Sequence, residues 1–311
     1  MAWRNEYDEK VRDLLYQMGA IDIGNIYWVM QSSKSFYGTF LSSHLFTYPD
    51  GSRSVYADAG TGDGIAAAIA VCKGGRNDYV IVGTGAYNLT AALTLAGKSS
   101  VHLWGVGALY DVGCAQGTVL IQTGNYQNVI METAGELAGL HIINKTGYQA
   151  VTGAITVYGG RIHHNNFRIV GGAAIDLVSL LLFSGGSIDR NRFYTYTGGV
   201  LNSVLYVGEG TGVDVCKNYI TASAQAVYTN GIYCDAVSGL VADNYLGEGG
   251  GTAAGAYGGQ IVNGIRVPYH GNVINNRCAL ATGEGLNGGT ANISFVDNRD
   301  GQAGGATPIT T

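Results

Sequence analysis

The chain has 311 residues, of which 50 are glycine and only 13% are charged, and its net charge is −5. Glycine is more than twice as frequent as its usual share of about 7%, whereas charged residues reach about half of theirs. With 46% apolar residues and 21 tyrosines, the chain is too apolar for a disordered glycine-rich linker. It also lacks a Lys/Arg cluster that could bind a phosphate backbone. We therefore expect a folded, β-rich protein that does not bind nucleic acid.

The beginning of the chain is charged where a secretory signal would be apolar, and no uninterrupted apolar stretch approaches about 18 residues. We therefore expect neither a Sec-type signal nor a membrane span. The five cysteines are odd in number and have no CxxC spacing, which favours free thiols over disulfides or metal ligands. They are Cys72, Cys114, Cys216, Cys234 and Cys278. We predict no cofactor.

A six-residue pattern, apolar-x-x-Asn-x-apolar, recurs through the second half of the chain. Clear copies span 162–167, 188–193, 215–220 and 241–246, and weaker ones span 273–278 and 295–300. The asparagines, which step by 26, 27, 26, 32 and 22 residues, are Asn165, Asn191, Asn218, Asn244, Asn276 and Asn298. A second apolar strip with a similar period lies near Ile155, Leu181, Leu205, Ile232 and Ile265.

This period, with short β-branched strands and glycine-rich corners, is typical of a parallel β-helix. The asparagines are then expected to stack as a structural ladder, because asparagine tolerates the left-handed backbone of a tight corner and its amide can bond to the copies above and below. A role as sugar ligands is the alternative. The predicted fold class is all-β, a right-handed single-stranded parallel β-helix of roughly nine repeats, preceded by an N-terminal helix and arm.

Residues 1–56 have a different character from the rest. A helix is predicted over residues 5–18, and its apolar face comprises Tyr7, Val11, Leu14 and Met18. This face either plugs the open end of the β-helix or docks on a neighbouring subunit. The aromatic stretch that follows, which includes Trp28, is predicted to be an attachment arm. Residues 57–311 are predicted to form the β-helix, with a short capping helix at about 63–72 that is N-capped by Asp63.

The segment that follows residue 58 is similar to the first part of pectate-lyase-like β-helices. It contains a Gly/Asp loop, the short helix, a strand that ends in Gly-x-Tyr-x-Leu at 85–89, and strands that close on Gly105-Val-Gly107. With the later repeat, the resemblance to this family, the pectin lyase superfamily, covers roughly residues 58–300. The resemblance implies a right-handed parallel β-helix of the kind found in phage tailspikes and other virion proteins. It does not select a function, because the superfamily contains lyases, hydrolases, epimerases, adhesins and inert virion parts.

No complete catalytic set is visible in the sequence. A pectate lyase needs an acidic calcium cluster and an arginine base, and the nearest match, Arg266-Val-Pro268-Tyr-His270-Gly, lacks the second arginine of the family motif and the acidic cluster. A tailspike-type glycosidase needs two carboxylates roughly 5 to 9.5 Å apart. Asp189 and Asp214 are the candidates for such a pair, as a weak alternative to the prediction of no catalytic residues.

Two further motifs are candidates for metal sites. His163 and His164 are adjacent in a predicted strand and should point to opposite faces, so they are not expected to chelate one metal. The loop at 60–64 has some similarity to a calcium-binding repeat, but a single copy favours a helix N-cap. We predict no metal site.

These observations favour a non-catalytic structural protein of a phage-like virion, such as a capsid decoration or a tail fibre or spike, with host surface glycans as a candidate contact. It would assemble in the host cytoplasm, form a homotrimer, and contact other virion proteins. The alternative is a polysaccharide depolymerase on the same fold, and the third candidate is a bacterial surface adhesin or filament subunit.

Overall fold

The computed structural model describes residues 24–107, 117–124, 126–131, 134–144, 155–157, 159–169, 178–180, 185–195, 200–208, 212–222, 227–234, 239–248, 260–267, 271–278, 286–288, 293–296, 298–300 and 307–308. The helix predicted over residues 5–18, with Tyr7, Val11, Leu14 and Met18, lies outside the described residues. Neither of the two helices in the described part is long and apolar enough to cross a membrane.

Strands dominate the described residues, which contain two helices, α1 (Tyr37–His44) and α2 (Asp63–Val71). The strands are β1 (Ile26–Gln31), β2 (Val55–Asp58), β3 (Asp78–Val82), β4 (Gly85–Leu89), β5 (Leu93–Thr94), β6 (Val101–Gly105), β7 (Thr118–Gln122), β8 (Val129–Met131), β9 (Glu136–Ala138), β10 (Leu140–Asn144), β11 (Ile155–Val157), β12 (Gly160–His163), β13 (Asn166–Ile169), β14 (Val178–Leu180), β15 (Gly186–Asp189), β16 (Arg192–Thr195), β17 (Val200–Val207), β18 (Val213–Cys216), β19 (Tyr219–Ala222), β20 (Val227–Cys234), β21 (Gly239–Ala242), β22 (Tyr245–Glu248), β23 (Gln260–Val267), β24 (Gly271–Ile274), β25 (Arg277–Cys278), β26 (Leu286–Gly288), β27 (Ile293–Val296), β28 (Arg299–Asp300) and β29 (Thr307–Pro308).

These strands form three long sheets of eleven, ten and eight strands, and none of the three closes on itself. From β3 to β25 each strand pairs in parallel with the strand three places later, as β12 does with β15 and β13 with β16. Three consecutive strands, one in each sheet, therefore make one repeat. The first sheet contains nine described strands from β3 to β27. The fold is thus all-β with long parallel sheets, as the period of the sequence predicts.

The registers show which sequence positions are equivalent. In the first sheet, Ile162 pairs with Ile188 and Ile188 with Val215, one copy of the asparagine pattern on the next. In the third sheet the second apolar strip needs one correction, because Val178 and not Leu181 lies between Ile155 and Leu205. On β14, the residue equivalent to Ile155 and Leu205 is therefore three residues earlier than the sequence period suggests.

A continuous apolar core runs between the sheets. The inward positions of the first sheet are buried in every repeat from Leu103 to Val273. In the second sheet the buried rings of Phe167 and Phe193 stack with their centroids 4.8 Å apart. This separation equals the spacing of neighbouring strands, so like residues in successive repeats pack face to face.

The corner after the first sheet differs from the sequence prediction in one respect. The left-handed backbone belongs to the residue before each asparagine and not to the asparagine itself. These exposed residues are His164, Arg190, Lys217, Asp243 and Asn275, with φ between 50° and 58°. Because this corner requires a particular φ and no particular side chain, its residue type changes in every repeat.

The first sheet crosses the domain boundary predicted at residue 56, since β1 lies between β2 and β3. Arg76 links the segment between β1 and β2 to the first sheet. Its guanidinium contacts Asp50 of that segment at 2.6 Å. It also contacts the Tyr27 hydroxyl on β1 at 2.7 Å and buried Asp78 on β3 at 2.6 and 2.7 Å. Trp28 on β1 packs against the Phe40 ring of α1. The attachment role of residues 1–56 stays a prediction.

The cap of α2 also differs from the prediction. Asp63 is the first residue of the helix and makes no cap hydrogen bond to its backbone. Instead, the buried carboxylate of Asp58 accepts the backbone N–H groups of Gly60, Thr61, Gly62, Gly64 and Ile65 at 2.6–3.4 Å. A carboxylate surrounded by five donors caps the helix from the preceding strand. The face of α2 toward the core carries Ile65 and Ile69, which are buried together with Cys72 after the helix.

Candidate functional site

The asparagines of the repeated pattern lie one above another at the corner after the first sheet, where each is only 1–2% exposed. The Nδ2 atom of each donates to the Oδ1 atom of the next at 3.0–3.2 Å, in five consecutive bonds. This asparagine column comprises Asn165, Asn191, Asn218, Asn244, Asn276 and Asn298. It starts at Leu140, whose backbone N–H donates to Oδ1 of Asn165 at 3.0 Å.

The amides of the four inner members are saturated with hydrogen bonds. In Asn191, the Nδ2 atom donates to the Ile162 carbonyl at 2.8 Å and to Asn218, while Oδ1 accepts both the backbone N–H and the Nδ2 of Asn165. The next three members repeat this set. An asparagine amide has two donor hydrogens and two acceptor lone pairs. The four inner amides of the column therefore keep no group for a sugar.

On the face of the first sheet that points away from the apolar core, the side chains change from repeat to repeat. Two outer rows run across its strands, on either side of the inward apolar position. The first comprises Ile26, Tyr79, His102, Glu136, Arg161, Ser187, Asp214, Leu240, Asn272 and Ser294, and the second comprises Trp28, Ile81, Trp104, Ala138, His163, Asp189, Cys216, Ala242, Ile274 and Val296.

The outer rows begin apolar and become charged. On β1, β3 and β6, Ile26, Tyr79 and Ile81 form a buried cluster with partly buried Trp28 and Trp104, separate from the core. His102 joins the two parts, because its ring stacks on Tyr79 with centroids 4.2 Å apart and its Nδ1 lies 3.3 Å from a carboxylate oxygen of Glu136.

The charged part is organised around Arg161. Its Nε and Nη2 atoms contact the two carboxylate oxygens of Asp189 at 2.8 and 2.9 Å. Arg190 approaches the same carboxylate at 3.2 Å, and the Ser187 hydroxyl lies 3.4 Å from it. The geometry is a bidentate ion pair between neighbouring repeats.

Both carboxyl groups of this part are held ionised. Burial alone would raise the pKa of Asp189, but the hydrogen bonds and charge of Arg161 lower it below its usual value. In the same way, burial opposes the ionisation of Glu136, while the hydrogen bond and charge of His102 lower its pKa overall. A general acid in glycoside hydrolysis needs a raised pKa, and neither group has one.

The weak catalytic pair from the sequence, Asp189 and Asp214, lies on neighbouring strands but in different rows. Asp189 is in register with Cys216, and Asp214 with Ser187. Asp214 is exposed, whereas Asp189 is occupied by Arg161. Glu136 is not among the predicted site residues, because the repeats were aligned on their asparagines. The repeat that contains Glu136 has Leu140 at the asparagine position.

An open groove of about 430 Å³ lies at the corner that precedes the strands of the first sheet, across four repeats, from β6 to β15. It is lined by outer-row side chains and by small corner residues: His102, Glu136, Arg161 and Ser187 with Ala134, Gly135, Gly160, Gly185 and Gly186. The corner residues Ala134, Gly160 and Gly185 have positive φ values. Small residues at this corner leave the backbone accessible beside the charged side chains.

The two adjacent histidines are closer together than the sequence predicts. β12 ends at His163, and the left-handed backbone of His164 turns the second ring back, so that the two Nδ1 atoms are 2.9 Å apart. The expectation that they point to opposite faces was therefore wrong. Burial and the charge of Arg161 lower the pKa of His163 to about 4, so the His163 ring is neutral at neutral pH.

Other residues singled out in the sequence have structural surroundings. Arg266 lies over the ring of Tyr233, 5.4 Å from its centroid, while Pro268 and His270 are outside the described residues. Cys72, Cys216, Cys234 and Cys278 are free thiols, and Cys114 is outside the described residues. Within the described ranges, no three His, Cys, Asp or Glu side chains are grouped so that they could hold a metal ion.

Comparisons with protein-family models, curated proteins and solved structures found no match to this chain.

Proposed function

We propose that the chain is a right-handed parallel β-helix of the pectate-lyase-like kind and serves as a non-catalytic structural protein of a phage-like virion. It would be a capsid decoration or a tail fibre or spike, located in the virion. The observation that carries this proposal is the asparagine column, which links six successive repeats by buried amide bonds and offers no group to a ligand. Such a column makes a rigid rod, which suits a part that projects from a particle.

The β-helix is supported by the pairing of every third strand, because a chain that visits three sheets in turn and returns one strand further along winds around a common core. The loop capped by Asp58, the helix α2 and strands β3 to β6 follow in the order that the family resemblance implies. Handedness is taken from that resemblance.

The absence of catalysis is supported by the ionised state of the carboxyl groups in the outer rows. Glu136 and Asp189 are the two carboxylates near the groove, and both have lowered pKa values. A depolymerase on the same fold is the second candidate, and the presence of these two carboxylates on one face favours it. A glycosidase, however, would need one of them protonated at neutral pH.

Mass spectrometry of purified particles tests the virion proposal. We expect the chain in the particles at a fixed copy number relative to the major capsid protein, and a multiple of three per attachment site. Recovery of the chain only from the culture supernatant, together with release of reducing ends from a capsular polysaccharide, would favour the depolymerase. Recovery from the cell envelope alone would favour the adhesin.

The proposal includes a homotrimer held partly by residues 1–56, because a rod with only 13% charged residues has a long side surface to cover and a three-fold axis closes the assembly. Light scattering of the full chain should give the mass of three copies. A chain that starts at Gly24 is the matched comparison, since it keeps β1 and β2 in the first sheet and removes Tyr7, Val11, Leu14 and Met18. A monomer for the full chain at micromolar concentration would reject the trimer.

A further inference from the structure

The groove at the edge of the first sheet is a separate feature from the asparagine column. Its volume of about 430 Å³ falls in the range of small-molecule sites, about 300–1,000 Å³. It crosses four repeats, so it is elongated in the direction in which the strands stack.

The lining combines donors and acceptors close to flat backbone. Glu136 contributes carboxylate oxygens, Ser187 a hydroxyl and Arg161 a guanidinium whose Nε and Nη2 atoms already bind Asp189. A sugar ring presents neighbouring hydroxyls that each donate and accept, so it can bond to a carboxylate and a hydroxyl together. The corner at Gly185, where a side chain would meet only open space, gives its C–H face room to approach.

The charges select among sugars. Arg161 and Arg190 both pair with Asp189, and Glu136 is ionised, so two guanidiniums are balanced by two carboxylates and neither guanidinium is left unpaired at neutral pH. A uronate or a phosphate would meet the Glu136 carboxylate without a free cation to compensate. A neutral saccharide has no such penalty.

We propose that this groove binds a neutral saccharide and does not cleave it. The inference deepens the proposed function, on which it rests for the origin of the saccharide: a glycan on the surface that the particle contacts. Binding without cleavage follows from the two ionised carboxylates, neither of which can protonate a leaving oxygen.

Titration of the full chain with neutral tetrasaccharides (maltotetraose, mannotetraose and tetra-N-acetylchitotetraose) and with tetragalacturonate, followed by saturation-transfer NMR and calorimetry, tests the proposal. We expect at least one neutral probe to bind and tetragalacturonate not to bind. Glu136→Gln should weaken binding at least about tenfold, because it removes a charged acceptor, and Ser187→Trp should abolish it by filling the groove. Asp214→Ala, in the same outer row but outside the groove, should bind as the wild type does.

Melting temperatures show whether each variant is folded. If Ser187→Trp fails to fold, Glu136→Gln carries the test. The proposal is overturned if no neutral probe binds, if tetragalacturonate binds more tightly than every neutral probe, or if Glu136→Gln binds with unchanged affinity. Release of reducing ends that Glu136→Gln abolishes would also overturn it, in favour of hydrolysis. None of these results changes the copy number in particles, so a failed groove is distinguishable from a failed virion assignment.

Discussion

The asparagine column and the outer rows of the first sheet are only a few residues apart in each repeat, yet they obey different rules. The column has the same residue in six successive repeats, whereas the first outer row changes from His102 to Glu136, Arg161 and Ser187. In the column, each amide bonds to its own copy above and below, so a different residue at one level leaves groups unsatisfied at two others. The outer rows have no such requirement. Identity along the stack therefore marks positions whose bonding requires one residue type, and variation marks positions without that requirement.

The largest effect is expected for Asn218→Asp, which keeps the shape of the side chain and removes its two donor hydrogens. The carboxylate would face the Ile188 carbonyl and the Oδ1 of Asn244, both acceptors. We expect a loss of about 3–5 kcal/mol at pH 7, the usual cost of an uncompensated buried charge. Because burial raises the pKa of this carboxyl in the folded state, part of the loss should be recovered as the pH falls.

Denaturant unfolding of Asn218→Asp at pH 7 and pH 5 measures both effects. Lys217→Asp, at the exposed corner position before it, is the matched control and should cost less than about 0.5 kcal/mol. Equal losses for the two variants would show that the column is not a special environment.

A smaller loss is expected for Asn191→Ala. The substitution leaves the Ile162 carbonyl, the backbone N–H of Asn165 and one hydrogen of the Asn165 amide without their partners, and we expect about 1–3 kcal/mol. Arg190→Ala should cost less than about 0.5 kcal/mol, because its side chain is about half exposed and Arg161 still pairs with Asp189 in its absence. Melting temperatures compare the two, and a wild-type value for Asn191→Ala would contradict the proposed contribution of the column.

The difference between the uniform asparagine column and the variable outer rows also explains how much of the fold and of the candidate site could be predicted from the sequence. The column was visible because its chemistry requires the same residue at a constant period, and that period also indicates the three parallel sheets. The left-handed position before each asparagine was missed, since a backbone angle leaves no consistent side chain. Glu136 was missed for a related reason: it lies in the repeat before Asn165, where no asparagine shows the alignment.

The cap of α2 shows a further limit. Asp63 stands where an N-cap is expected from local sequence, but the N–H groups bind Asp58, which comes from the end of β2. The choice between two nearby aspartates depends on which carboxylate the turn through Gly60 and Gly62 encloses. Local sequence does not contain that information, because it arises from the packing of the helix on the first sheet.

The column contains no titratable group, so the dependence of stability on pH must come from other positions. Burial lowers the pKa of His141 and of His163 to about 4, below the value of about 6.5 in an unfolded chain. The unfolded state then binds more protons between these values, and stability falls as the pH decreases from about 6.5 to about 4. The lowered pKa values of Glu136 and Asp189 act mainly below about pH 4.5.

Unfolding at pH 7 and pH 5 therefore isolates the histidines. His163→Gln should remove about 1.5 kcal/mol of the stability lost between these two pH values. His164→Gln, at the exposed corner position, is the matched control and should leave most of the difference in place. An unchanged difference for His163→Gln would mean that its ring is not kept neutral in the folded protein.

The smallest effect concerns the corner that precedes the column. Arg190 has a φ of 55°, a conformation that costs an L-residue about 1–2 kcal/mol, whereas glycine adopts it freely but loses about 0.5–1 kcal/mol more backbone entropy on folding. Glycine at this position should therefore be more stable than alanine by up to about 1 kcal/mol. At Arg192, in the extended strand β16, the alanine variant should be the more stable one, because only the entropy difference remains.

Melting temperatures of the Gly and Ala variants at both positions give the stability difference at each position. Both variants at a position lack the same arginine, so they differ only in their backbone preference. The same order at both positions would show that the corner angle does not decide the residue, and the variation from His164 to Asn275 would then need a cause in the side chains.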